Sequence, residues 1–344
     1  MEVNLKIRFY KVVFTFIIAL YHLLNAYGRN TSWYIAVEFF FYVSGYLIAN
    51  SYENHLKGTE KRRMDALAYT IKRWMTFFPF TFASFVIAFV IKGIYNKYTL
   101  FEYAKCFLSH LPELMLIHAC GLGHGSDYYM NSVTWYISVL LLLGYVIWYL
   151  LDHKKDAFIK FISPILVVLI YSYLYRTYGY LGEHYETIGF LFNSALLRGF
   201  AGLSVGVIAF YLKKRIKVNA SKWFGYLPDV CFLSVIVLAA FCNATPWDFL
   251  FAFLLAVGVF FSFYNGNQCI AVKLYDNKAV KYLSGISLSI YLNHKIFRSI
   301  WKYLFPTESM IMYVAYLLFI IIFSTMIKIV VTHITNKLRT HYKK

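Results

Sequence analysis

The sequence predicts an all-α fold: a polytopic integral membrane protein with about ten transmembrane helices and both termini in the cytoplasm. Of its 344 residues, 60% are hydrophobic and 15% are charged, whereas soluble domains are usually about 45–50% apolar and about 25% charged. The apolar residues form long continuous runs, and a helix of about 20 residues is needed to cross a hydrocarbon core of about 30 Å. Because the runs do not alternate with polar residues, they argue against the strands of a membrane barrel.

Ten runs are long enough to span, and we expect them to form one transmembrane domain over residues 1–344 with no appended soluble domain. The predicted spans are residues 12–28, 33–51, 74–94, 133–151, 157–176, 194–212, 224–243, 248–265, 284–303 and 309–330. Another apolar segment, residues 101–121, is expected to be a re-entrant or interfacial piece on the outer side. A full span there would move every later basic cluster to the outside, against the positive-inside rule.

Lysine and arginine set the predicted orientation. The formal net charge is +18, and the basic residues cluster in every second connection between the predicted spans, which places those connections in the cytoplasm. This segregation is typical of a chain beside anionic lipid rather than of a nucleic-acid-binding surface. We therefore expect the lipid bilayer as a partner and no nucleic acid.

The sequence lacks two common chemical signatures. Its five cysteines form no CxxC pair and no even framework, so we expect neither a metal site nor a disulfide scaffold. No Gly-rich phosphate loop of the P-loop kind is present, which argues against ATP-driven transport.

Two ionisable residues lie inside consecutive predicted spans, where such residues are costly and usually functional. His22 follows Lys11 by eleven residues, which at about 1.5 Å per residue places it roughly 16 Å from the cytoplasmic side. Glu38 lies in the next span, roughly 8 Å below the outer face, so adjacent helices could bring the two side chains together. A neutral imidazole can accept a proton from a hydroxyl, and a carboxylate on its other nitrogen stabilises the imidazolium. The pair predicts general-base catalysis, with a hydrogen bond that merely joins two helices as the alternative.

Three predicted spans contribute candidates for substrate binding. Arg198 is a charge inside the sixth span and could hold either Glu38 or a substrate. His294 lies in the middle of the ninth span and is a second-tier candidate. Trp135 and Tyr136 begin the fourth span at its outer end, where they could stack on a sugar; ordinary interfacial aromatic residues are the alternative.

The stretch around Glu38, "VEFFFYVSGYLI", resembles the second-span signature of the acyltransferase family 3 membrane proteins. That signature runs Val, an acidic residue, any residue, Phe-Phe, two residues and Ser-Gly. The family also has a basic residue, ten spacer residues and a histidine in its first span, and "KVVFTFIIALYH" supplies Lys11 and His22. The blocks "TWYISVLLLLGY", "LLRGFAGLSVGVIAF" and "LSGISLSIYLNHKIF" follow in matching order, so the resemblance covers nearly the whole chain.

The resemblance implies an enzyme that moves an acyl group, typically acetyl from acetyl-CoA, onto a hydroxyl of an extracytoplasmic glycan. His22 would be the catalytic histidine and Glu38 its acidic partner. Lys11 would be the basic residue near the donor, at a position where the family more often has arginine.

The phosphates of the donor, acetyl-CoA or another acyl-CoA, would meet cations at the cytoplasmic face. Arg73 is the best placed of these, because it lies at the mouth of the predicted third span, and Lys72 lies beside it. Arg62 and Arg63 complete the cluster. The alternative for this cluster is ordinary positive-inside charge.

The expected location is the bacterial cytoplasmic membrane, with acyl-CoA arriving from the cytoplasm and the glycan from the outer side. A polysaccharide exporter or flippase that uses the same polar residues to gate a path is the rival function. An inactive sensor or scaffold on this fold is a third. The sequence leaves open the acceptor glycan and its hydroxyl, the acyl group, direct transfer as against an acyl-histidine intermediate, and whether the chain forms a homo-oligomer.

Overall fold

The computed structural model describes residues 4–57, 64–122, 129–188, 192–216, 223–264 and 272–341. Its α-helices are α1 (Leu5–Ala26), α2 (Ala36–Lys57), α3 (Ala66–Asn96), α4 (Leu100–Ser109), α5 (Leu111–Leu114), α6 (Trp135–Ala157), α7 (Ser163–Tyr178), α8 (Ser194–Arg215), α9 (Trp223–Ala240), α10 (Trp247–Tyr264), α11 (Val272–Tyr275), α12 (Lys278–Leu304) and α13 (Met310–His341). A two-residue antiparallel ladder pairs Thr187–Ile188 with Phe192–Asn193. The described part of the chain is thus an all-α protein, as the sequence predicts.

Each predicted span overlaps one of the long helices. Six helical segments of the described chain are long and apolar enough to cross a membrane: Leu5–Ala26, Ala66–Asn96, Ser132–Tyr178, Ser194–Arg215, Trp247–Tyr264 and Met310–Thr340. Outside this set are α2, which carries Glu38, α12, which carries His294, and the shorter apolar helix α9. The structure is that of an integral membrane protein, whereas the number of ten crossings and the cytoplasmic termini stay predictions.

The predicted re-entrant segment, residues 101–121, is not a single helix. It contains most of the ten-residue α4 and the four-residue α5, and neither is long enough to span. Tyr103 packs against Phe89 towards the C-terminal end of α3, whereas Met115 accepts a hydrogen bond from Trp74, at 3.2 Å, nearer the N-terminal end of α3. These contacts agree with a segment that folds back beside α3.

The helices α1 and α12 run parallel and in register. Towards their N-terminal ends, Lys11 Nζ donates to the carbonyl oxygen of Ser284 at 3.2 Å. Eleven residues further along α1 and ten further along α12, the ring centroids of His22 and His294 lie 5.1 Å apart. This register brings together two histidines that are far apart in the sequence.

The helices α2 and α8 cross at a very short distance because glycines line the crossing. A Cβ atom added at Gly45 would collide with the backbone carbonyl of Leu203, and one added at Gly206 would collide with the carbonyl of Tyr42. The crossing holds the first turns of α8, including Arg198, against α2.

We expect Gly206→Ala to lower the free energy of unfolding by about 1–3 kcal/mol, the usual cost of overpacking. The added methyl group would meet backbone atoms of α2, which cannot rotate away as a flexible side chain can. Gly144→Ala on α6 is the matched control, because its added Cβ would find its nearest neighbour, Tyr69 Cε1, at 3.4 Å. Thermal unfolding in one detergent measures both variants, and equal stabilities would contradict the close crossing.

Candidate active site

Two histidines face each other between α1 and α12. The rings of His22 and His294 lie 5.1 Å apart between centroids, with 33° between their planes. His294 is fully buried and His22 is partly buried. Among the described residues, no hydrogen bond occupies the ring nitrogens of His22, so they are available to a substrate.

The hydrogen bond of His294 fixes its neutral tautomer. Its Nδ1 lies 2.6 Å from the carbonyl oxygen of Tyr291, and because a carbonyl oxygen can only accept, Nδ1 must carry the proton. The other nitrogen, Nε2, then has a free lone pair, and it is buried without a hydrogen-bond partner in the described part of the chain. An unsatisfied buried acceptor is costly, so Nε2 is a candidate proton acceptor for a substrate hydroxyl.

Glu38 forms a buried ion pair with Arg198. Arg198 Nε lies 2.6 Å from Glu38 Oε1, and the two side chains are 1% and 0% exposed. Tyr171 donates from its hydroxyl to the other carboxylate oxygen at 3.2 Å. Within the described ranges no hydrogen bond joins Glu38 to His22, so the direct contact expected from the sequence is absent. Of the two roles expected for Arg198, the geometry shows the one in which it holds Glu38.

The absence of that contact follows from the direction in which the Glu38 side chain points. Glu38 Oε2 lies 3.1 Å from the position that a Cβ would take at Gly202 on α8, so the carboxylate faces α8. A buried carboxylate without a counter-charge is strongly destabilising, and Arg198 supplies that charge. Depth along a helix, which residue spacing predicts, does not determine which neighbour a side chain faces.

Trp135 is buried rather than open to solvent. It is 7% exposed, its ring centroid lies 5.8 Å from the Arg198 guanidinium carbon, and the ring of His184 lies 4.6 Å away. Burial lowers the pKa of His184, in the connection between α7 and α8, to about 4, so this imidazole is neutral at neutral pH. The structure therefore does not offer Trp135, or the equally buried Tyr136, as an open surface for a sugar.

Two cations converge where α1, α12 and α13 meet, on the predicted cytoplasmic side. Lys11 Nζ lies 3.2 Å from the carbonyl oxygen of Ser284, and Lys328 Nζ lies 3.1 Å from the position of a Cβ on the next residue, Gly285. Neither ammonium group has a carboxylate within salt-bridge distance among the described residues. Two like charges without a counter-ion favour an anionic ligand. Lys328 was not a sequence candidate, because a lysine in the last turn of a predicted span is ordinary positive-inside charge.

The predicted donor residues on α3 differ in exposure. Lys72 is exposed, whereas Arg73 is partly buried with its guanidinium carbon 5.0 Å from the ring centroid of Phe77. Arg62 and Arg63 lie outside the described residues. A role of Lys72 and Arg73 in holding the donor stays a prediction.

A hydrogen-bond network ties α12 to α3 close to the histidine pair. Asn131 donates from Nδ2 to Ser84 Oγ and to the carbonyl oxygen of Leu292, both at 2.7 Å. Ser84 Oγ also donates to Leu292 O at 2.9 Å. Sequence reasoning missed Asn131 and Ser84, because single polar residues without a spacing pattern give no signal. The network fixes the turn before α6 against the helix that carries His294.

The structure thus defines a helical integral membrane protein whose interior holds two facing histidines, with a cation pair towards one end of α1 and α12. A family model described as an acyltransferase domain, that of acyltransferase family 3, matches residues 4–332. The chain belongs to this family and is a membrane acyltransferase. Neither a curated protein nor a solved structure matches the chain.

Proposed function

We propose that this acyltransferase moves an acyl group, most simply acetyl, from cytoplasmic acyl-CoA to a hydroxyl of a cell-envelope or exported polysaccharide. We place it in the bacterial cytoplasmic membrane, with the donor on the inner side and the glycan on the outer side. The observation that carries the proposal is the pair His22 and His294, with a free imidazole lone pair in the interior. At this depth a donor and an acceptor can reach one base from opposite sides of the membrane.

Direct transfer needs one proton acceptor. A histidine nitrogen of the pair removes the proton of the acceptor hydroxyl while the hydroxyl oxygen attacks the carbonyl carbon of the thioester. The C–O bond forms, the C–S bond breaks, and the leaving thiolate takes the proton back from the imidazolium. His294 suits this step, because Nε2 has its lone pair free and Tyr291 holds Nδ1.

The separation between the cation pair and the histidines fits a donor with a long arm. Lys11 and His22 are eleven residues apart on α1, which corresponds to about 16 Å. Coenzyme A carries its phosphates at one end and its thioester at the other. Its phosphates can therefore bind beside Lys11 and Lys328 while the acyl group lies near His22, and the donor need not cross the membrane.

Complementation of a deletion strain tests the function. We expect His22→Ala to lower the ester content of the surface glycan by about 100-fold or more, because the histidine pair that serves the proton transfer loses one of its members. NMR of the purified glycan measures the esters, at matched protein levels. His333→Ala, which changes an exposed histidine on α13, is the control and should restore the esters.

The two remaining outcomes point elsewhere. If His22→Ala restores the esters as well as the wild type does, His22 takes no part in the proton transfer. If no variant alters the esters but polymer export changes, a transporter replaces the acyltransferase of glycans as the function.

A further inference from the structure

A cavity of about 810 Å³ lies between α3, the turn before α6, and α12, on the predicted outer side. Its volume falls within the range of about 300–1,000 Å³ that is typical of small-molecule sites. We propose that it binds an acidic sugar of the acceptor, a hydroxylated ring that carries a carboxylate or a phosphate. This inference rests on the proposed function and names the class of its acceptor.

The wall of the cavity is positively charged. Lys92, Lys295 and Arg298 line it, and none of its described lining residues is a carboxylate. Lys295 donates to the hydroxyl of Ser132, and neither Lys92 nor Arg298 has a carboxylate within salt-bridge distance in the ranges that the structure describes. Lysine and arginine are normally scarce on the outer side of a membrane protein. Three of them around one cavity therefore favour an anion.

One carboxylate lies behind this wall, but it is directed at the backbone. Glu113 accepts hydrogen bonds from the backbone N–H groups of Met130 and Asn131, both at 2.7 Å. Its two oxygens thus hold the turn before α6 in place, and the N–H dipoles offset part of its charge. Lys92 and Arg298 are therefore left without a carboxylate partner among the described residues.

Unpartnered polar atoms in the same wall indicate what else the ligand carries. Asn131 is 2% exposed, and because its Nδ2 donates to the carbonyl oxygen of Leu292, the orientation of its amide is fixed. The remaining oxygen, Oδ1, has no partner among the described residues, and neither does the buried Nε of Arg298. A sugar hydroxyl can donate to Oδ1, and an acidic group can accept from Arg298.

The position of Arg298 relates the cavity to the histidine pair. Arg298 follows His294 by four residues on α12, so the two side chains leave the same face of the helix, about 6 Å apart along its axis. A sugar whose acidic group binds Arg298 can therefore present a hydroxyl towards His294. The cavity selects the acceptor, and the histidines activate it.

Binding to the purified protein in nanodiscs of zwitterionic lipid tests the inference, with titration calorimetry as the measurement. The probes are glucuronic acid, glucose 1-phosphate, neutral glucose and undecaprenyl phosphate. We expect both acidic sugars to bind at least tenfold more tightly than glucose. If undecaprenyl phosphate displaces the acidic sugars, the acidic group that the cavity binds is the phosphate of a lipid carrier. If it does not displace them, the acidic group belongs to the glycan itself.

Charge variants locate the site. Arg298→Gln should weaken binding of the acidic sugars by about 10- to 100-fold, the usual effect of losing a charge-assisted hydrogen bond, and should leave glucose binding unchanged. Lys92→Gln, at a partly exposed position, is a second variant in case Arg298→Gln does not fold. The control is Lys105→Gln, because Lys105 is exposed on α4 and does not line the cavity.

Equal affinities for glucose and the acidic sugars would overturn the inference, as would an equal loss of affinity in Lys105→Gln. The ester measurement with His22→Ala is independent of this experiment. If esters depend on His22 but anions are not preferred, only the inference falls. If anions are preferred but the wild-type protein restores no esters in the deletion strain, the cavity is an acidic-sugar site and the proposed function falls.

Discussion

Replacement of His294 by glutamine is expected to slow acyl transfer by about 100- to 10,000-fold, the contribution of a general base. The variant removes a ring nitrogen of the histidine pair that is buried, unprotonated and without a partner among the described residues. Glutamine keeps a polar side chain of similar length but cannot accept a proton at neutral pH. The initial rate of ester formation on the surface glycan, after induced expression and at matched protein levels, measures the change, with His333→Gln as the control.

The double variant His22→Ala/His294→Gln shows whether the two histidines act together. Because their rings lie 5.1 Å apart, we expect them to serve the same proton transfer, and the effects of residues that act as a unit are not additive. The double variant should therefore be no slower than the slower single variant. Losses that multiply would mean that the histidines act in separate steps, and full activity of His294→Gln would remove His294 from the mechanism.

Much of the fold follows from the sequence, because the membrane fixes the length of a spanning helix. Each predicted run overlaps a long helix, and segment 101–121 is broken into short pieces beside α3. The spacing of His22 after Lys11 gives its depth in the same way, and that depth stays a prediction. These predictions use only the rise per residue and the cost of charge in lipid.

Which helices become neighbours does not follow from the same reasoning. Lipid is as apolar as the helices, so hydrophobicity does not choose partners inside a membrane; close packing and polar contacts do. The glycines at 45 and 206 allow α8 to approach α2, and Glu38 faces α8 as a result. His22 instead lies against His294, a residue that the sequence analysis ranked below the other candidates for the site. The cavity on the predicted outer side is lined by three segments that are far apart in the sequence. None of these segments alone carries a residue pattern that predicts a cavity.

Removal of either partner of the Glu38–Arg198 pair should lower the free energy of unfolding by about 3–5 kcal/mol, because a fully buried charge loses its counter-charge. Arg198→Met leaves the carboxylate with Tyr171 as its remaining hydrogen-bond donor, and Glu38→Gln leaves the guanidinium of Arg198 unpaired. The double variant Glu38→Gln/Arg198→Met removes both charges and should recover most of the loss. Thermal unfolding in a single detergent compares the four proteins.

The same four proteins separate a structural role of the pair from a catalytic one. If the pair only joins α2 to α8, the double variant should regain ester formation together with its stability. If Glu38 takes part in acyl transfer, as the family resemblance implies, the double variant should be stable and inactive, since a folded protein then lacks the carboxylate. A single variant as stable as the wild type would contradict the pair itself, because a 2.6 Å contact between two fully buried charges cannot be lost without cost.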